Sequence, residues 1–295
     1  MLADADGTLC RVQSAQPFHT PVRTTRRIQA SRGIVPVDFR ELWAYRSLLF
    51  LFMRRDLKTR YRQTYLSGFW ALFRPLFSMV LYSLIFGGLA GISPGNGVPY
   101  PLFVTPGILA FSYFSSAAGG GASAVAANGA LIGKSYFPRL YAPIAVITPP
   151  LTDLVLGFVV LFGLFAYYDR APSWHIVFLP AFVLIAVLLA LAISLWLSGP
   201  AVKYRDIAFA FPFALQMWMW LTPVIYPVSK VPARYQWLLS LNPMTAVVDG
   251  FRWSVVGTAF PQARTLGIAV AVTVGLLLPG LYHFRRTERT FADLL

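Results

Sequence analysis

Six apolar runs dominate this chain, near residues 68–92, 101–124, 142–168, 176–198, 207–227 and 265–283. A helix rises about 1.5 Å per residue, so roughly 20 apolar residues cross the ~30 Å hydrocarbon core of a bilayer. The runs therefore predict an all-α integral membrane protein with six transmembrane helices. The connectors "SPGNGVPYP", "KSYFPR", "YDRAPSW" and "SGPAVKYRD" carry the turn residues and charges that end such spans. Composition agrees: 57% of the 295 residues are apolar and 12% charged, against about 25% charged in a soluble domain.

A net charge of +14 raises nucleic acid as a partner. The cations, however, gather between apolar runs, where they orient a chain in a bilayer, so no nucleic acid is expected. With a cytosolic N-terminus, the inner segments hold Arg54, Arg55, Lys58, Arg60 and Arg62, then Lys134 and Arg139, Lys203 and Arg205, and Arg285, Arg286 and Arg289. The outer loops before the last hold only Arg170. Positive residues favour the inside, which puts both termini in the cytosol. The single cysteine, Cys10, excludes an internal disulfide or a cysteine-based metal site.

Residues 1–35 are polar and arginine-rich, with no apolar run long enough for a signal peptide, and are expected to be a disordered cytosolic tail. Residues 36–65 contain "DFRELWAYRSLLFLFMRRDLKTRYRQ", which mixes Leu42, Trp43, Leu48, Leu49, Phe52 and Leu57 with the Arg54–Arg62 cations. That mixture predicts an amphipathic helix lying in the membrane interface, apolar side chains toward lipid and cations on headgroups. A solvated helix in a soluble cap is the alternative. The six-span domain covers 66–286, and 287–295 form a cytosolic C-terminus. Its last outer connector, about 228–262, is amphipathic, aromatic and broken by Pro243 and Gly250, as expected of re-entrant helices.

Gly129-Ala-Leu-Ile-Gly133-Lys134-Ser135 has the look of a phosphate-binding loop. Only three residues separate its glycines, and the position one earlier is Asn128. A P-loop needs about four residues there so that successive N–H groups wrap the phosphates, and it must leave a strand and open a helix. This stretch runs instead from apolar sequence into Tyr136-Phe137-Pro138.

The blocks "RDLKTRYRQT" (55–64), "GVPYPLF" (97–103), "KSYFPRL" (134–140), "VKYRDI" (202–207), "LTPVIYP" (221–227), and "LNPM" with "DGFRW" (241–253) occur in order, each at the boundary of a span. Together they resemble the permease subunits of ABC type-2 exporters of polysaccharide, O-antigen, teichoic acid or capsule precursors, over about Asp38 to Arg286. The resemblance implies the ABC type-2 exporter fold, a homodimer in a bacterial plasma (inner) membrane, and two copies of a separate nucleotide-binding ATPase subunit. It also implies a lipid-linked glycan as substrate, with ATP and Mg on the partner and no cofactor on this chain. The connector at about 126–140 is then the coupling helix that docks into the ATPase, through Asn128, Leu131, Lys134, Tyr136, Phe137 and Arg139. Alternatively, Lys134 and Arg139 serve topology alone, with Tyr136 and Phe137 in the interface belt. Relatives carry a bulkier polar residue where Gly129 or Gly133 stands, and Leu-Gly where this chain reads Leu66-Ser67-Gly68.

No Walker motif, His/Cys cluster or paired carboxylate is present; His19, His175 and His283 are far apart, and no catalytic site is expected. Substrate entry and headgroup binding fall to Arg54, Arg55, Lys58, Arg60, Arg62, Leu66 and Ser67, with lipid headgroups as competitors for the cations. Aromatic faces suit sliding sugar rings, which nominates Trp218, Trp220, Tyr226, Phe251 and Trp253 as channel or gate residues. A lipid-facing belt is the competing reading. Trp218 and Trp220 lie about 200° apart on a helix, so at most one faces a lumen. Arg74 and Asp153 are costly in hydrocarbon and are read as conduit charges or a mutual pair, or as structural. Asp249 and Arg252 have the spacing of a local ion pair. Other functions consistent with the sequence are an ABC type-2 exporter of drugs or small lipids and a membrane-embedded polyprenyl-lipid transferase.

Overall fold

The computed structural model describes residues 43–62, 67–95, 97–129, 138–204 and 206–288, and within them all regular structure is helical. All of these belong to one unit, Pro36–Leu295. The helices are α1 (Arg46–Arg62), α2 (Ser67–Tyr82), α3 (Tyr100–Ala127), α4 (Tyr141–Val146), α5 (Thr148–Tyr167), α6 (Leu179–Lys203), α7 (Asp206–Leu221), α8 (Ala233–Leu241), α9 (Pro243–Val256) and α10 (Ala263–Glu288).

Among the described residues, five segments are long and apolar enough to cross a bilayer: Leu72–Leu89, Tyr100–Ala127, Tyr141–Tyr167, Trp174–Lys203 and Ala263–Thr287. The first continues α2 through a π-helical turn, Ser83–Leu89. The apolar run at 207–227 behaves differently, because its helix α7 has 16 residues and stops at Leu221. At about 1.5 Å per residue it is ~24 Å long, short of the bilayer core. Pro223 explains the stop: it offers no N–H and pushes the residue before it away from helical geometry. The chain then turns inward, burying Thr222, Val224 and Ile225.

α3 is the central post, with most of its residues buried. It packs on α2, α5, α6, α7 and α9. Its Ala/Gly-rich second half lets α6 approach closely, and a Cβ added at Gly121 would lie 2.0 Å from Ser194 Oγ. In the connector after α7, Asn242 caps α9 by accepting from Met244 N–H at 3.0 Å, and Pro243 follows as the first helical residue. Gly250 does not break this helix as expected from sequence. It lies within α9 where a Cβ would meet the Phe182 ring at 2.1 Å, so its role is close packing.

The interface helix forms, with a different facing from the one expected. Phe52 is buried, and Leu48, Leu49 and Met53 pack with it against Val125, Tyr141 and Phe284, so this face meets protein. Trp43, Phe50 and Leu51 are the exposed apolar residues.

Candidate functional site

A cavity of 950 Å³ opens between α2, α3, α5 and α7, with the end of α1 at its rim. Helical periodicity builds its walls, since residues three and four apart share a face. α2 contributes Trp70, Phe73, Arg74, Phe77 and Ser78; α3 contributes Leu109, Ser112, Tyr113 and Ser116; and α7 contributes Pro212, Gln216 and Met219. The wall is apolar and aromatic on the α2 side and carries hydroxyl and amide groups on the α3 and α7 sides. The Tyr113 hydroxyl is buried without a hydrogen-bond partner among the described residues.

The aromatic side, Trp70, Phe73 and Phe77, belongs to a ladder that Phe69 continues beyond the lining residues. Phe69 stacks on Phe73 at 5.3 Å and Phe73 on Phe77 at 5.7 Å, with Trp70 edge-on to Phe73 at 5.5 Å. Sequence reasoning missed these rings. The available signal was the four-residue spacing of Phe69, Phe73 and Phe77 in the first span, which places them in one row.

The rim is charged. Arg60 and Tyr61 of α1 reach Asp153 of α5: the Arg60 guanidinium donates to one carboxylate oxygen and the Tyr61 hydroxyl to the other. Tyr61 also lies 2.7 Å from Thr152 Oγ1. Burial, then the bond to the Asp153 carboxylate, pushes the Tyr61 phenol above its usual pKa, so it is neutral and a donor. Arg74 points into the same cavity and makes no hydrogen bond or ion pair among the described residues. The Arg74–Asp153 pair read from sequence is thus not made; the lone carboxylate is taken by Arg60, which α1 delivers to it.

The remaining entry residues divide. Arg54 and Lys58 are exposed; Arg55 lies over the Phe52 ring at 4.9 Å, pairs with Asp56 at 2.8 Å and donates to Asn128 Oδ1 at 2.8 Å. Leu66 and the side chains of Arg62 and Ser67 lie outside the described residues, as do Leu131, Lys134, Tyr136 and Phe137. Of the coupling residues that are described, Asn128 closes α3, with its amide donating to Ala124 O at 2.8 Å. Arg139 donates through its guanidinium to the Glu288 carbonyl and through its backbone N–H to the Glu288 carboxylate at 3.4 Å.

The aromatics nominated from sequence lie elsewhere. Trp218 donates its indole N–H to Asn242 Oδ1 at 3.0 Å and packs edge-on against Phe114 at 5.2 Å, while Trp220, on another side of α7, is half-exposed. The Tyr226 hydroxyl reaches Trp220 O at 3.4 Å. Phe251 is fully buried, and Trp253 belongs to a separate aromatic cluster with His175, Phe178, Phe182 and Phe260. None of the five lines the cavity. Apolar spans carry no facing signal strong enough to have separated them from the α2 row.

Arg252 does more than pair locally. It is 1% exposed, and besides Asp249 at 3.2 Å it donates to Phe103 O at 3.1 Å and Val224 O at 2.6 Å, lying 3.8 Å over the Phe103 ring. Among the described residues no group of three metal-ligating side chains exists.

The sequence profile of the family described as ABC-2 type transporter matches residues 47–256. Among curated relatives, the O-antigen export system permease protein RfbA of Myxococcus xanthus is 32% identical over 256 residues, covering 86% of this chain and 97% of that protein. The inner membrane transport permease YadH of Escherichia coli K12 is 30% identical, over 69% of this chain and 83% of that protein. The polysialic acid transport protein KpsM of E. coli is 22% identical, over 79% and 91%.

Proposed function

Because this chain belongs to the ABC-2 type transporter family as a multi-pass membrane permease, we propose that it is the transmembrane subunit of an ATP-driven exporter moving a polyprenyl-diphosphate-linked glycan out of the cytosol. Two copies would form the conduit in a bacterial inner membrane, with both termini cytosolic. Two separate ATPase subunits would hold ATP and Mg and act through the connector at 126–140.

The observation that carries this reading is the groove. Sugar rings present C–H faces to aromatic rings and hydroxyls to polar groups, and the groove sets Trp70, Phe73 and Phe77 against Ser112, Ser116 and Gln216. Stacking is tolerant of register, which suits a chain that slides. The O-antigen and polysialic acid relatives point the same way. A transferase on polyprenyl lipids is disfavoured because Asp153 is the single carboxylate among the cavity's lining residues, and acid/base work needs a partner for it.

The test is deletion of the gene in its own bacterium. Loss of surface glycan, with lipid-linked glycan accumulating inside and rescue by the wild-type gene, supports the reading. Normal surface glycan together with lost efflux of a small amphiphile would replace it with a drug or small-lipid exporter.

A further inference from the structure

We infer that Arg60 and Arg74 form an anion site for a diphosphate headgroup at the rim of the groove, and that Asp153 is its built-in competitor, holding Arg60 until the diphosphate displaces it. The inference rests on the exporter reading for the identity of the lipid. Its structural basis is independent of that reading.

Three charged side chains line one cavity: Arg60 from α1, Arg74 from α2 and Asp153 from α5. One carboxylate cannot neutralise two guanidiniums, and Arg74 is left without a partner among the described residues. The rim therefore keeps a net positive charge facing the cavity. A guanidinium fork fits carboxylate and phosphate oxygens by the same paired geometry, so Asp153 occupies on Arg60 the donors that a phosphate would use. A diphosphate brings more charge and more acceptor oxygens than one carboxylate and can engage both arginines together.

The Arg60–Asp153 pair is poorly suited to a purely structural role. Its side chains are 38% and 26% exposed, a setting in which an ion pair contributes little to stability. The Tyr61 hydroxyl keeps the carboxylate aimed at the rim, so a displaced Asp153 has a partner to stay with. Arg60 and Asp153 lie on different helices, so release of the pair removes one side-chain link between the end of α1 and α5, while Tyr61 keeps its bonds to Asp153 and Thr152. Binding and unlocking are then one event.

The test uses the full-length chain in nanodiscs of neutral lipid, titrated with polyprenyl diphosphate, with inorganic pyrophosphate and phosphatidylglycerol as competitors. Apparent affinity is the intrinsic affinity reduced by the unlocked fraction, so D153N tightens binding by about 5- to 10-fold for a lock that is mostly closed. R60Q and R74Q each weaken it by about 10-fold or more, the size expected for a lost charge-assisted contact. A gain in D153N cannot arise from misfolding. Pyrophosphate should compete, because the phosphates are what is recognised. Unchanged or weaker binding by D153N overturns the lock. Equal competition by phosphatidylglycerol overturns the substrate site and makes it a general headgroup contact. If the wild type binds no polyprenyl diphosphate while the gene deletion still abolishes glycan export, this inference fails and the exporter reading stands. If the deletion leaves export normal, the exporter reading fails whatever the binding shows.

Discussion

Arg252 holds together more of the fold than its position in an amphipathic connector suggests. Its guanidinium satisfies Phe103 O on α3 and Val224 O in the turn after α7, and pairs with Asp249 within α9. Three separate pieces of chain are held by one buried side chain. Replacing it by methionine fills the space but orphans two buried carbonyls and leaves a carboxylate without its cation. Breaking a buried pair from one side costs about 3–5 kcal/mol, so R252M should unfold markedly earlier in a thermal melt of the detergent-solubilised protein. R252K, which keeps the charge but cannot fork to two carbonyls, should fall between them. A wild-type melting temperature for R252M would show that the carbonyls find other partners. The i,i+3 spacing made the Asp249–Arg252 pair legible from sequence, but the two carbonyls lie 149 and 28 residues away and no local pattern reports them. Asp153 teaches the same lesson, since its partner Arg60 is 93 residues distant and only the fold brings them together.

At the scale of elements, α2 deserves the mutational effort that sequence would direct to α7. Phe73 stacks between Phe69 and Phe77, so F73A interrupts the row at its middle. Aromatic contacts are worth about 0.5–1.5 kcal/mol each, so glycan export should slow by about 2- to 10-fold while membrane insertion is unchanged. W218A should instead lower stability, because its indole is bonded to Asn242 at the α9 cap. Export assays scaled to the amount of folded permease separate the two outcomes, and a per-molecule defect confined to W218A would return the conduit to α7. The locations of the long spans, of the helix that precedes them and of the break at Pro243 were readable from run length, cation clusters and proline. Facing was not, because lipid and protein interior accept the same apolar side chains, and the amphipathic period that reports burial in water is weak in a span. The early end of α7 was signalled by Pro223, yet the run of apolar residues through 227 masked it.

For the whole molecule, the proposed coupling needs a path from the connector at 126–140 to the groove. α1 is bonded to both sides of it. Arg55 holds Asn128 where α3 ends, and Arg60 with Tyr61 holds Asp153 and Thr152 on α5 beyond it. Buried Phe52 seats the same helix on the Val125 and Tyr141 flanks. A displacement at Asn128 thus shifts a helix whose far end forms the rim of the cavity. Docking and relay then belong to different residues and can be broken apart. In the permease co-purified with its proposed ATPase partner, the double substitution Y136A with F137A should abolish co-purification. N128A should keep the partner bound but lower glycan export per ATP hydrolysed by about 3-fold or more, a coupling loss on the order of 1 kcal/mol. N128A also removes the Asn128–Ala124 bond and R55Q the Arg55–Asp56 pair, but the Arg55–Asn128 bond is the contact the two share, so R55Q should lower coupling in the same direction and the double variant should add little to either alone. Additive losses would mean that the two residues act through separate contacts and that α1 is not the relay.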